Sequence, residues 1–166
     1  EPTNLLISAD WPHYTEKYLR ESLSKPDLFV MFVNGTPGNT NPSNSPMTGS
    51  KPRNFDMCKD IGDITAKGIL EIIPNVEILS ISPIKGITKE IIIDADDVDK
   101  EEIFTFSDGF VENDVFKIKT VIQALRIGDL GIVTAPGEYF PHIARSIKEK
   151  SPFKYTFIMG YANDYI

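Results

Sequence analysis

Few residues of this 166-residue chain combine a reactive type with a suggestive setting. Glu138, in "APGEYF", follows an apolar run and precedes a helix start. Strand-end carboxylates in that position serve as metal or acid–base groups, yet a helix macrodipole favours a carboxylate there with no chemistry at all. The stretch "NGTPGNTNP", residues 34–42, lies directly behind the apolar run "LFVMFV", where phosphate loops and catalytic turns sit. It lacks the Gly-Lys-Ser/Thr ending of a phosphate loop and the third glycine of a dinucleotide fingerprint, so no nucleotide reading is supported. His13 and His142 each fall on an expected helix, where a lone histidine is more often a packing or surface residue than a ligand. The acidic run "DADDVDKEE", residues 94–102, resembles a calcium loop only in charge. It has no glycine at its sixth position, and Thr105 stands where the bidentate glutamate belongs, which leaves a solvated acidic face. Cys58 is the single cysteine, so there is no internal disulfide and no Cys/His cluster for structural zinc. Asn34-Gly35-Thr36 fits a glycosylation sequon, a pattern common by chance.

These groups need elements to position them. Lys25-Pro26-Asp27 ends a helix expected over about residues 11–24, with Asp10 as its N-cap and Pro12 in its first turn. "LFVMFV", 28–33, reads as a strand buried on both faces. The Gly, Pro, Asn and Ser that dominate residues 34–54 make a long loop of the functional or mobile kind. A second helix over about 57–72 places Met57, Ile61, Ile64 and Ile69 on one face and ends before Pro74. "VEILSISPIK" and "EIIID" read as strands, and the segments 117–127 and 130–135 as a strand pair joined at Gly128-Asp129. A helix over about 138–149 and a strand over 155–160 close the chain. The mixture predicts one α+β (mixed α/β) domain spanning residues 1–166, a mixed sheet covered by helices. A net charge of −7 and a pI near 4.8 leave no basic stripe for nucleic acid and no polybasic segment for an anionic membrane. No apolar stretch approaches the roughly 20 residues of a spanning helix. No signal peptide is visible within the chain, and localisation and oligomeric state stay open.

Taken in order, "LISAD", "YTEKYL", "NGTPGNTNP", "LRIGDLGIVTAPGEYF" and "MGYANDY" resemble the neutral and alkaline ceramidase family, zinc amidases that hydrolyse the N-acyl bond of ceramide. The similarity runs from residue 5 to residue 165 and is weaker from about 55 to 115. It implies the central part of a catalytic domain, with zinc as cofactor and a ceramide, another N-acyl lipid or a different amide as substrate. The family's "PGE" glutamate, a zinc ligand, corresponds to Glu138. The family's Gly-Asp/Asn-x-Ser-Pro turn corresponds to Gly38-Asn39-Thr40-Asn41-Pro42, so Gly38, Asn39 and Pro42 line the implied substrate site and Asn41 occupies the serine position. An amide there is no nucleophile, although it can donate a hydrogen bond to a developing oxyanion. The family's other zinc ligands, two histidines and a tyrosine, fall before residue 1 and three residues beyond Tyr165, and match neither His13 nor His142. One glutamate is expected to hold zinc weakly at best, so stoichiometric zinc is not expected for this chain alone. The alternative to an amidase is a non-catalytic scaffold or lipid-binding relative with an incomplete zinc site. Should the family arrangement be kept, Glu138 and Asn41 are expected at the rim of one cleft.

Overall fold

The computed structural model describes residues 7–40, 54–95 and 108–164. They divide into two compact units, Glu1–Phe32 with Asn41–Ile78, and Val33–Thr40 with Leu79–Ile166.

The first unit is helical. Helix α1 spans Asp10–Ser22 and α2 spans Phe55–Ile72, continued by a short 3-10 turn over Ile73–Asn75. The N-cap of α1 is Ala9, without a side-chain cap bond, rather than Asp10, which is already the first helical residue. Asn54 does cap α2, its Oδ1 accepting the Met57 backbone N–H at 3.0 Å, a bond that satisfies one of the otherwise unpaired first-turn donors. The buried side of α2 carries Met57, Cys58, Gly62 and Ala66, whereas Ile64, expected on that side, is 66% exposed. Small residues decide the face here. Gly62 lies so close to α1 that a Cβ there would stand 2.5 Å from Tyr14 Cβ and 2.7 Å from the Trp11 carbonyl oxygen. Thr15 completes the contact by donating to the Gly62 carbonyl at 3.2 Å. The helices thus meet through backbone; Ile64 turns outward, while Ile61 and Ile69 are half-buried.

The second unit holds a five-stranded mixed sheet: β1 Ile84–Asp94, β2 Asp108–Glu112, β3 Val115–Ile127, β4 Leu130–Ala135 and β5 Tyr155–Gly160, with helix α3, Pro141–Lys150, between the last two. The order is β1-β3-β4-β5, with β2 also paired to β3. β3 is the organiser, since β1 runs antiparallel along its whole length from Lys117 to Ile127, while β2 and β4 take opposite ends of its other edge. β2 turns into β3 through Asn113 and Asp114, both with positive φ (52° and 63°), the backbone that two-residue hairpins require. The expected turn at Gly128-Asp129 joins β3 to β4, with Ile127 opposite Leu130. β4 and β5 are parallel, Val133 opposite Ile158 and Ala135 opposite Gly160, with α3 as their crossover. That helix buries Ala144 against Ala135 and Ile158, with Val133, Tyr139 and Ile147 packed around them. A second small cluster of Ala95, Phe116 and Ile118 stands at the far end of β3.

Two expected strands are corrected. Residues 28–33 form no strand, and Phe29 and Met31 are 83% and 71% exposed. Within the first unit the Phe32 ring sits edge-on to Trp11 at 5.0 Å between centroids. A continuous apolar run signals a preference for burial, but a strand exists only where a neighbouring strand takes its backbone N–H and C=O groups, and among the described residues none pairs with 28–33. Residues 76–83 are likewise outside any strand, and β1 begins only at Ile84. It contains the expected "EIIID" strand and extends it by six residues, from Ile84 to Lys89.

Candidate functional site

The parallel pair β4 and β5 sends two loops out of its carboxyl ends, the edge at which open sheets with parallel strands place ligands. Residues 136–140 leave β4 and residues 161–164 leave β5. The loop 34–40, from the glycine-rich stretch, runs beside both. Four backbone bonds stitch them together. Gly160 N–H donates to the Asn34 carbonyl at 3.0 Å, Gly38 N–H to Tyr139 at 3.0 Å, Tyr161 N–H to Gly137 at 3.3 Å and Ala162 N–H to Ala135 at 3.3 Å.

Glycine is what permits this spacing. A Cβ on Gly38 would collide with the Glu138 carbonyl oxygen and lie 2.6 Å from Phe140 Cδ1, and one on Gly160 would collide with the Gly35 carbonyl. Gly38 and Gly160, the glycine ending β5, therefore let three stretches of backbone approach more closely than any side chain allows, whereas a Cβ on Gly35 would meet open space.

At the junction stands Glu138, exposed, and its carboxylate Oε1 accepts the hydroxyl of Tyr161. Tyr161 has φ 53° and Asn163 φ 75°, values uncommon for residues with a Cβ and costly unless the surroundings impose them. Asn163 is held by its own side chain, Nδ2 donating to Thr134 Oγ1 at 3.0 Å. Thr134 in turn accepts the Gln123 backbone N–H at 2.8 Å, so the hydroxyl at the end of β4 ties β3 to the loop after β5. Tyr139, beside Glu138, turns inward toward Ala135, Ala144 and Ile158, and burial holds its phenol pKa above 10.0, the ordinary value. Under these loops is an apolar cavity of about 60 Å³, bordered by Thr36, Ile122, Tyr139, Ile143 and Ile147 among others. That is far below the size of sites that enclose whole small ligands. A larger cleft of about 340 Å³, bordered by Gly131, Ile147, Pro152 and Phe153 among others, opens toward the start of β4, away from Glu138.

Of the residues singled out from sequence, Gly38 and Asn39 lie in the loop beside Glu138. Asn41 and Pro42 fall outside the described residues, and so does the part of the acidic run from 96 onward. His13 packs edge-on to Tyr14 on α1 and His142 edge-on to Phe140 on α3. Cys58 is buried in α2. Among the described residues no three His, Cys, Asp or Glu side chains form a group able to hold a metal ion. A catalytic zinc takes three protein ligands, so these residues by themselves do not fit one. Sequence reasoning missed Tyr161 and Thr134. Tyr161 lies inside the quoted "MGYANDY", but only its positive-φ turn brings the hydroxyl back to Glu138. No helix of the described residues is long and apolar enough to cross a membrane.

No family model and no curated protein sequence matches the chain. Among solved structures it is similar to the neutral ceramidase from Pseudomonas aeruginosa, at 19% identity and a TM-score of 0.69. The match covers 98% of this chain and 35% of the ceramidase chain, so the 166 residues span about a third of that protein's length. The agreement extends over both compact units and includes the strand–loop–helix–strand run that carries Glu138. In fold, the 166 residues are a neutral ceramidase-like segment.

Proposed function

We propose that this chain contributes one wall of a zinc-dependent amide hydrolase of the neutral ceramidase type, which cleaves the N-acyl bond of ceramide or a related N-acyl lipid. The observation that carries the reading is the convergence of three loops on Glu138 at the carboxyl ends of β4 and β5, within a fold shared with a neutral ceramidase. In this reading Glu138 is a zinc donor, and the remaining donors come from outside the described residues. Gly38, Asn39 and Pro42 border the substrate, and Asn41, at the serine position of the resemblance, offers an amide N–H to the oxygen that gains charge as the amide is attacked. The backbone stitches fix the spacing of these loops before substrate arrives, which lowers the reorganisation required in the reaction.

The test is fatty-acid release from a fluorescent ceramide by a polypeptide that joins this segment to the two histidines and the tyrosine implied by the resemblance. Release is expected with zinc, and Glu138→Gln is expected to lower it by about 100-fold or more, since a carboxamide is a far poorer zinc ligand than a carboxylate. Release that survives Glu138→Gln undamaged rejects the role given to Glu138. A second reading, a lipid-binding scaffold without chemistry, draws on Asn41 standing where a serine is expected. It requires ceramide binding without release even when all donors are supplied.

A further inference from the structure

The loop after β5 needs no tyrosine hydroxyl to hold its shape. The backbone N–H groups of Gly160, Tyr161 and Ala162 are already bonded to Asn34, Gly137 and Ala135, and Asn163 is tied to Thr134. Tyr161 nevertheless adopts φ 53° and delivers its hydroxyl to the Glu138 carboxylate. Both side chains are exposed, Tyr161 at 39%. A hydrogen bond that competes with water on both sides contributes little to folding stability. What the bond does supply is direction. A glutamate side chain at the surface samples several rotamers, and one charge-assisted donor on Oε1 selects among them while Oε2 keeps its lone pairs.

We propose that Tyr161 is a positioning residue for Glu138, its hydroxyl fixing one carboxylate oxygen so that the other is presented in a constant direction at the junction of the three loops. The inference rests on the functional reading above for its purpose, but not for its test. Among the described residues the Tyr161 hydroxyl donates to the Glu138 carboxylate, and the ordering of this carboxylate falls to it. The hydroxyl acts through Glu138 and has no independent part in bond breaking.

The experiment compares the wild-type chain with Tyr161→Phe, which deletes one oxygen and keeps the ring and the backbone bonds. Side-chain relaxation and the carboxyl carbon shift of Glu138 are read by NMR in a glutamate-labelled sample, with Glu138→Gln used to assign the signal. In the wild type the Glu138 carboxyl signal is expected to stand apart from those of exposed glutamates and its side chain to be restrained. In Tyr161→Phe both properties are expected to revert to those of a solvated glutamate, while the thermal midpoint stays within about 2 °C, as befits loss of one exposed bond. Identical Glu138 signals in the two proteins overturn the proposal, as does a Tyr161→Phe chain that unfolds, because the hydroxyl would then be structural. In a donor-complete polypeptide the same substitution is expected to lower kcat about tenfold with KM within about twofold, the signature of a misdirected group rather than lost binding. An ordered Glu138 in a polypeptide that releases no fatty acid sinks the amidase reading and leaves the clamp standing.

Discussion

Glu138 shows how little a residue type says until its neighbours are known. From sequence it was equally a helix-start carboxylate and a ligand. In the fold it lies beside Gly38, whose missing side chain is what lets the two loops touch. Gly38→Ala is accordingly expected to destabilise the second unit by about 1–3 kcal/mol, the usual cost of forcing atoms into a filled space, read as a shift in the denaturant midpoint. An unchanged midpoint would mean that the loops separate freely. The inward-turned Tyr139 makes a pH-dependent contribution. Burial raises its phenol pKa above 10.0, so the folded chain retains a proton that the unfolded chain gives up. The associated stability is complete below the unfolded value and is lost as pH rises through the folded one. Thermal midpoints measured from about pH 8 to about pH 11 should therefore fall more steeply for the wild type than for Tyr139→Phe. Parallel curves would show that the phenol titrates normally in the folded chain.

At the scale of elements, the site depends on α3 being held over β4 and β5, since that crossover sets where the 136–140 loop leaves the sheet. Ile158, 7% exposed, is the largest side chain of the buried trio that pins it, beside Ala135 and Ala144. Ile158→Ala should cost about 2–5 kcal/mol, measurable by chemical denaturation, whereas a loss under about 1 kcal/mol would show that the trio collapses to fill the gap. The strands at 117–127, 130–135 and 155–160 were legible because alternation and a Gly-Asp turn are local signals. β2 was not, although the Asn113-Asp114 turn that starts its return into β3 is visible in the sequence. The expected strand over 28–33 was wrong for a different reason. Hydrophobicity reports a demand for burial, and only pairing partners can meet it as a strand. For α2 the expected face held at Met57, which is buried, and failed at Ile64, because close approach through Gly62 favours small residues there.

For the molecule as a whole, the 166 residues alone are expected to bind no zinc tighter than about micromolar and to release no fatty acid from ceramide, because a single carboxylate leaves zinc mostly hydrated. Asn41→Ser is expected to leave that unchanged, as it adds a hydroxyl but no ligand. Zinc titration by calorimetry and the fluorescent assay check both, and submicromolar binding would show that the donors have been misplaced, with His13 and His142 the first to examine. What the sequence determined by itself was the mixed α/β class, the order of most elements and the motifs whose succession resembles a ceramidase, since each is encoded in short-range periodicity, turn chemistry or residue order. The tertiary structure alone decided which of those motifs meet. Glu138 and Tyr161 are 23 residues apart, and the Gly38 loop is farther still. Their meeting depends on a parallel β4–α3–β5 crossover and on backbone approaches that glycine permits, and neither the direction of a strand nor the closeness of two loops is written in any local stretch of residues.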